Sequence, residues 1–193
     1  MTLETRALTR PLDVRAAESG KVTIGGYAAL FGSQTVIGDS YREVIARGAF
    51  AEALKGDVRA LVDHDSGRVI GRTTAGTLRL SEDLTGLAVE IDLPDTTDGR
   101  DLAALIARGD ISGMSFGFNV TKQTWDETGD MPTRTIEAVS LREVSVVAFP
   151  AYPDTSIALR SLDEARKDRR TENHTQAARR LRMKVSLDLR SRR

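Results

Sequence analysis

A chain of 193 residues, 40% of them hydrophobic, is long enough for one packed domain with an appendage. The absence of cysteine excludes a disulfide framework, a thiolate metal site and a cysteine nucleophile. The formal charge of zero is a cancellation: residues 1–165 carry 17 Lys/Arg against 25 Asp/Glu, and residues 166–193 carry 11 against 3, an acidic body with a basic tail.

No apolar run reaches the roughly 18–20 residues that span a bilayer, and the N-terminal stretch lacks the apolar core of a signal peptide, so a soluble, unexported protein is expected. Residues 1–18 are polar and charged and read as a partly ordered N-terminal arm. Lys21 to Phe31 reads as a strand, with Gly25-Gly26 marking a bulge or bend. Gly32 to Ser40 is a polar loop, Tyr41 to Ile45 is extended, and Arg47 to Leu54 has the look of a brief helix ending near Gly56. Val58 to His64 alternates, which sets His64 at a strand end, level with Val58, Ala60 and Val62. Asp65-Ser66-Gly67 is a turn before extended Val69 to Thr73, and Thr77–Leu80 with Leu87–Leu93 forms a hairpin. In Asp98 to Arg108, Leu102, Leu105 and Ile106 share a helical face, with Asp98 as N-cap and Gly109 as the C-terminal glycine.

From Met114 the chain alternates again, with Met114, Phe116, Phe118 and Val120 on one face and Ser115, Gly117 and Asn119 on the other. Ser115 therefore points away from the packed side, between two glycines that leave room for another backbone. Asn119–Trp125 and Thr133–Val139 read as hairpin arms, and Leu141 to Phe149 as a last strand stopped at Pro150. Six or seven short strands and two helices predict a mainly β (α+β) fold, a small closed or partly open antiparallel barrel flanked by helices over residues 19–160. Residues 161–193 read as a basic, largely disordered or frayed helical tail. It has no aromatic side chains for base stacking, which weighs against a nucleic-acid arm.

Three residues stand out chemically. His174 lies in the tail, so acid–base work by a histidine of the body falls to His64. Its structural alternative is an edge histidine paired with Asp63 or Asp65. Glu143 shares parity with Leu141, Ser145, Val147 and Phe149, an acid on an apolar face that needs a donor. Arg72 or Arg142 would make that pairing structural, and an imidazole N–H would make it catalytic. Ser115 is an ordinary strand serine unless a base takes its proton. Hydroxyl, imidazole and carboxylate are the three groups that nucleophilic acyl transfer requires, and their order along the chain varies between folds. The competing chemistry, a metal held by His64 with Asp63, Asp65 and distant carboxylates, has one body histidine and no cysteine to draw on.

Six separated segments carry a resemblance. They are Gly26-Tyr27-Ala28-Ala29-Leu30-Phe31, Arg47-Gly48-Ala49-Phe50, Asp63-His64-Asp65, Ile70-Gly71-Arg72-Thr73, Arg108 through Phe118, and Glu143-Val144-Ser145-Val146-Val147 followed by Pro150-Ala151-Tyr152. In this order they resemble the prohead maturation proteases of tailed phages, over roughly Thr5 to Ser161. The resemblance implies a serine endopeptidase of the herpesvirus-assemblin type, without metal or cofactor. It would act inside the immature head in the host cytoplasm on scaffold or the scaffolding region of the major capsid protein, and on itself, with self-association possible. It also implies Ser115 as nucleophile, His64 as base and Glu143 as third member, where herpesvirus relatives use a second histidine. The backbone N–H groups of Ala151 and Tyr152 are candidate oxyanion donors, because their loop follows Glu143 closely. One departure is Ser66-Gly67-Arg68-Val69, where the family usually carries a proline. An inactive shell-binding module of the same fold, and a nucleic-acid-binding protein acting through its tail, are the other readings.

Overall fold

Short runs of alternating apolar residues make sheet the dominant structure. The computed structural model describes residues 3–16 and 21–149 and, beyond them, separate helical positions between 163 and 183. The strands are β1 (Glu4–Thr9), β2 (Asp13–Ala16), β3 (Val22–Leu30), β4 (Gln34–Ile37), β5 (Tyr41–Ile45), β6 (Arg59–Val62), β7 (Asp65–Arg72), β8 (Leu78–Glu82), β9 (Gly86–Asp92), β10 (Gly113–Asp126) and β11 (Thr133–Val147). Helix α1 (Thr97–Arg108) joins β9 to β10, and a single 3₁₀ turn covers Ala53–Lys55.

The strands form two sheets. One has the order β1-β10-β11-β5-β4, with β6 also against β11 and β7 against β6; the other has the order β2-β3-β9-β8. Among the described residues neither sheet closes on itself, so the closed form of the expected barrel is not seen. Nor is the larger sheet wholly antiparallel: β11 runs parallel to β5 along Thr133–Ile136 and parallel to β6 along Glu143–Val146. What looked like several short strands is one long hairpin, because β10 and β11 pass through register shifts at Gly117/Phe118, Val120/Lys122 and Lys122/Gln123 without separating. The core lies between the sheets. Phe116 stacks on Phe118 with centroids 4.8 Å apart and meets Phe50 edge-on at 5.5 Å. Ile24, Leu87, Val89 and Ile91 of the smaller sheet are buried in the same cluster.

Several local expectations change. Within the stretch expected to be partly ordered, β1 and β2 each join a sheet. The polar loop 32–40 contains β4, which pairs with β5. Arg47 to Leu54 forms turns and the 3₁₀ turn in place of a helix: Gly48 is left-handed (φ 84°), and so short a segment cannot meet the cost of helix nucleation. The bulge expected at Gly25-Gly26 lies between Tyr27 and Ala29. The α1 N-cap is Thr96, whose Oγ1 accepts from Gly99 N, while Asp98 is taken by Arg68. Gly109 caps the C-terminus with φ 81°, as expected. Among the described residues no helix is long and apolar enough to cross a membrane. The tail positions described between 163 and 183 are exposed.

β1 is fixed by a buried cluster of four charges. Arg6 bonds Glu4 at 2.7 Å and Glu43 at 2.6 Å, and Arg134 bonds Glu4 at 2.8 Å and Glu43 at 3.1 Å. Burial alone would push the Glu4 carboxyl up, but Arg134 and Arg6 outweigh it and hold that carboxyl below its ordinary value.

Candidate active site

The site forms where β1, β10, β11 and β6 lie side by side. In the ladder registers Ala7 faces Ser115, Ser115 faces Ser145, Gly117 faces Glu143, and on the far edge of β11 Glu143 faces Arg59 and Ser145 faces Leu61. Residues directly opposite share a face, so Ser115, Ser145 and Glu143 lie on the side opposite Phe116, Val144 and Val146.

Two of the expected orientations need correcting. Glu143 is not on the face of Leu141. Phe118 pairs with Leu141 and Gly117 with Glu143, so Arg142 is the extra residue of a bulge that switches the parity of β11 between them. His64 is not level with Val62 either. The strand ends at Val62, which pairs with Asp65, leaving Asp63 and His64 as a two-residue hairpin loop. Both loop residues are left-handed, with φ 50° and 60°, the pattern a type I′ turn demands and one that Asp and His tolerate better than most side chains. The turn is tied to β11 by Asp63 N–H donating to the Val146 carbonyl (2.9 Å) and by Ala148 N–H donating to Asp63 Oδ1 (3.1 Å).

This turn delivers the imidazole to Glu143: His64 Nδ1 lies 2.7 Å from Glu143 Oε1. A carboxylate only accepts, so Nδ1 carries a proton, and in the neutral imidazole Nε2 keeps its lone pair. That Nε2 is buried and meets no hydrogen-bond partner among the described residues. The bond to Glu143 raises the His64 pKa above its ordinary 6.5, against the opposing effect of burial, with the Glu143 and Asp63 charges adding to the rise. The alternative partners considered for Glu143 are engaged elsewhere, Arg72 with Asp57 and Arg142 with Asn119.

Ser115 is fully buried, contrary to the outward-facing position its parity suggested, and its hydroxyl donates to the Arg6 carbonyl at 2.9 Å. The hydroxyl is thus turned to β1, while the imidazole–carboxylate pair is formed. Ala151 and Tyr152 fall outside the described residues.

Three participants in this geometry escaped the sequence reading. Ser145 donates to Glu143 Oε2 (2.6 Å) and accepts from His64 N–H (3.2 Å). Gly117 lies under the carboxylate, where a Cβ would stand 2.4 Å from Glu143 Oε1. Arg6 contributes its carbonyl. Ser145 carried a signal in its parity with Glu143, and Gly117 carried one as open space beside Ser115, which the Glu143 carboxylate fills where another backbone was expected.

A family model described as caudovirus prohead serine protease matches residues 10–168. The chain belongs to this family. It is 34% identical over 152 residues to the prohead protease of Enterobacteria phage HK97, an alignment covering 77% of this chain. The chain spans 64% of the length of that relative. Its fold is similar to that of the bacteriophage T4 capsid assembly protease, with a TM-score of 0.53 over 76% of this chain and 97% of the other. At 14% identity that likeness is one of fold. In this chain Ser115 faces Ser145 across β10 and β11, and the same Ser145 accepts from His64 N–H.

Proposed function

We propose that the chain is a serine endopeptidase that cleaves scaffold, or the scaffolding region of the major capsid protein, inside the assembling phage head in the host cell, and that it also cleaves itself. The observation that carries this reading is the state of His64: Nδ1 is held by Glu143 at 2.7 Å, and Nε2 is buried without a partner among the described residues, with β11 between it and the Ser115 strand. Family membership, the likeness to the HK97 prohead protease and the fold shared with the T4 capsid assembly protease support it. The assemblin kinship belongs to the same proposal, with Glu143 standing where herpesvirus relatives use a second histidine.

In this mechanism the Ser115 side chain turns from the Arg6 carbonyl toward Nε2. Oγ attacks the scissile carbonyl carbon as its proton passes to His64, and Glu143 stabilises the imidazolium. The C–N bond breaks as His64 returns the proton to the leaving amine. Water then attacks the acyl-serine, losing a proton to His64, and Ser115 leaves reprotonated. The Ala151 and Tyr152 N–H groups are the proposed oxyanion donors. No metal or cofactor takes part in this scheme.

The test is mass spectrometry of capsid precursor co-expressed with wild-type chain or Ser115→Ala. Defined fragments are expected from the first and intact precursor from the second. Fragments of the same masses with purified Ser115→Ala would remove the nucleophile assignment. The burial of Ser115 and its bond to Arg6 favour a second reading, a shell-binding module without turnover. That reading requires Ser115 to stay unlabelled by a phosphonyl fluoride while heads assemble.

A further inference from the structure

We propose that Ser145 is a positioning residue for the His64–Glu143 pair, a role that rests on the reading of the site given above. Ser145 is fully buried and lies directly opposite Ser115 across β10 and β11. Its single oxygen does two things at once. It donates to Glu143 Oε2 at 2.6 Å, and it accepts the backbone N–H of His64 at 3.2 Å. The first bond uses the carboxylate oxygen that the imidazole does not, so both oxygens of Glu143 are tied and the plane of the carboxylate is fixed. The second anchors the backbone of a residue in the left-handed region, where the turn alone costs free energy to hold. The carboxylate is seated over Gly117, whose missing side chain is the space Oε1 occupies. Without the hydroxyl, Glu143 is free to rotate off the imidazole, and the His64 backbone loses its tether to β11.

A structural role alone would be felt in folding. A positioning role is felt in the protonation of His64. The experiment therefore follows the rate at which a fluorophosphonate labels Ser115 in the full chain, as a function of pH, with the labelled residue identified by mass spectrometry. For Ser145→Ala we expect labelling to remain on Ser115 but to slow by about ten- to a hundred-fold. Its acid limb should move down toward pH 6.5, as His64 loses part of its contact with Glu143. Ser145→Thr keeps the oxygen and should recover most of the rate. Gly117→Ala displaces the carboxylate from the other side and should reproduce the shift of the acid limb.

The inference is overturned if Ser145→Ala keeps the wild-type rate and pH profile, or if Ser145→Thr is as impaired as Ser145→Ala, which would make packing the cause. Label found on Ser145 in the wild-type chain overturns it as well, since Ser145 would then be a nucleophile. A wild-type chain that is not labelled, or labelling of Ser115 unchanged in His64→Ala, refutes the reading of the site instead.

Discussion

Arg134→Met tests the buried cluster that holds β1 beside Ser115. The Arg134 side chain is 2% exposed and makes contacts of 2.8 and 3.1 Å to Glu4 and Glu43, with a further bond to Gln123 at 2.6 Å. Two guanidinium groups and two carboxylates are balanced in the native protein. Removing one guanidinium leaves both carboxylates to Arg6 and buries an uncompensated negative charge. Breaking a buried pair in this way costs about 3–5 kcal/mol. For a domain of this size the melting temperature should fall by about 6–20 °C. The pH dependence has a definite sign. The Glu4 carboxyl is held below its ordinary 4.5, so its contribution is complete above that value and is lost as pH falls through the folded pKa. The gap between wild type and Arg134→Met should therefore be widest at neutral pH and close on acidification. Glu4→Gln added to Arg134→Met removes the excess charge and should recover part of the loss. A melting temperature within about 2 °C of wild type, or a double variant no better than the single, would refute the reasoning.

Three further outcomes follow from the site and the helix. The acid limb of kcat/KM should lie above pH 6.5, because His64 must lose its proton to act as base and Glu143 raises its pKa; Glu143→Gln should bring the limb back toward 6.5 and lower the rate by about 10²-fold or more, read by steady-state kinetics on a capsid-derived peptide. The same raised pKa means that the pair stabilises the fold fully below 6.5, and that this contribution fades as pH rises through the folded value. Thr96→Ala removes the Oγ1 acceptor of Gly99 N and should cost about 1 kcal/mol in denaturant unfolding, whereas Asp98→Ala should leave the cap intact.

The sequence was informative where a residue's role is local. Alternation in Met114 to Val120 gave the core face of β10, and Gly109 gave the end of α1, since both depend on neighbours within a few positions. It misled where a single inserted residue or a single dihedral decides. The Arg142 bulge moves Glu143 from the face of Leu141 to that of Ser145, and parity counting has no means of detecting an insertion. The left-handed pair Asp63-His64 swings the imidazole off the Val62 row, although neither residue is a glycine that would mark the turn. Burial of Ser115 depends on what lies beside β10, and β1 falls in a polar, charged stretch that reads as a partly ordered arm. Those charges prove to be partners of one another across Glu4, Arg6, Glu43 and Arg134. Ionic self-satisfaction over so long a separation leaves no periodic trace.

Two movements could bring the Ser115 hydroxyl to His64, a turn of the side chain or departure of β1, and their costs decide between them. The turn gives up one neutral hydrogen bond to the Arg6 carbonyl, worth about 0.5–1.5 kcal/mol net, and gains one to a nitrogen that is already buried and has no partner among the described residues. It is close to thermoneutral. Departure of β1 strips the ladder from Glu4 to Thr9, several backbone hydrogen bonds at about 0.5–1.5 kcal/mol each, and also breaks the Arg6–Glu43 and Arg134–Glu4 pairs, a cost of at least about 3 kcal/mol. At about 1.4 kcal/mol per tenfold, the turn is populated at least a hundred times more. Locking β1 should therefore leave Ser115 reactive. Leu8 faces Met114 in the β1–β10 register, and opposed Cα atoms in an antiparallel pair are about 4.5–5.5 Å apart, within disulfide range. Because the chain has no native cysteine, Leu8→Cys with Met114→Cys makes one defined bridge. The oxidised variant should label with a fluorophosphonate at the rate of its reduced form. Labelling that stops on oxidation and returns on reduction would show that β1 has to leave, and the ordering of costs argued from the β1 ladder would be wrong.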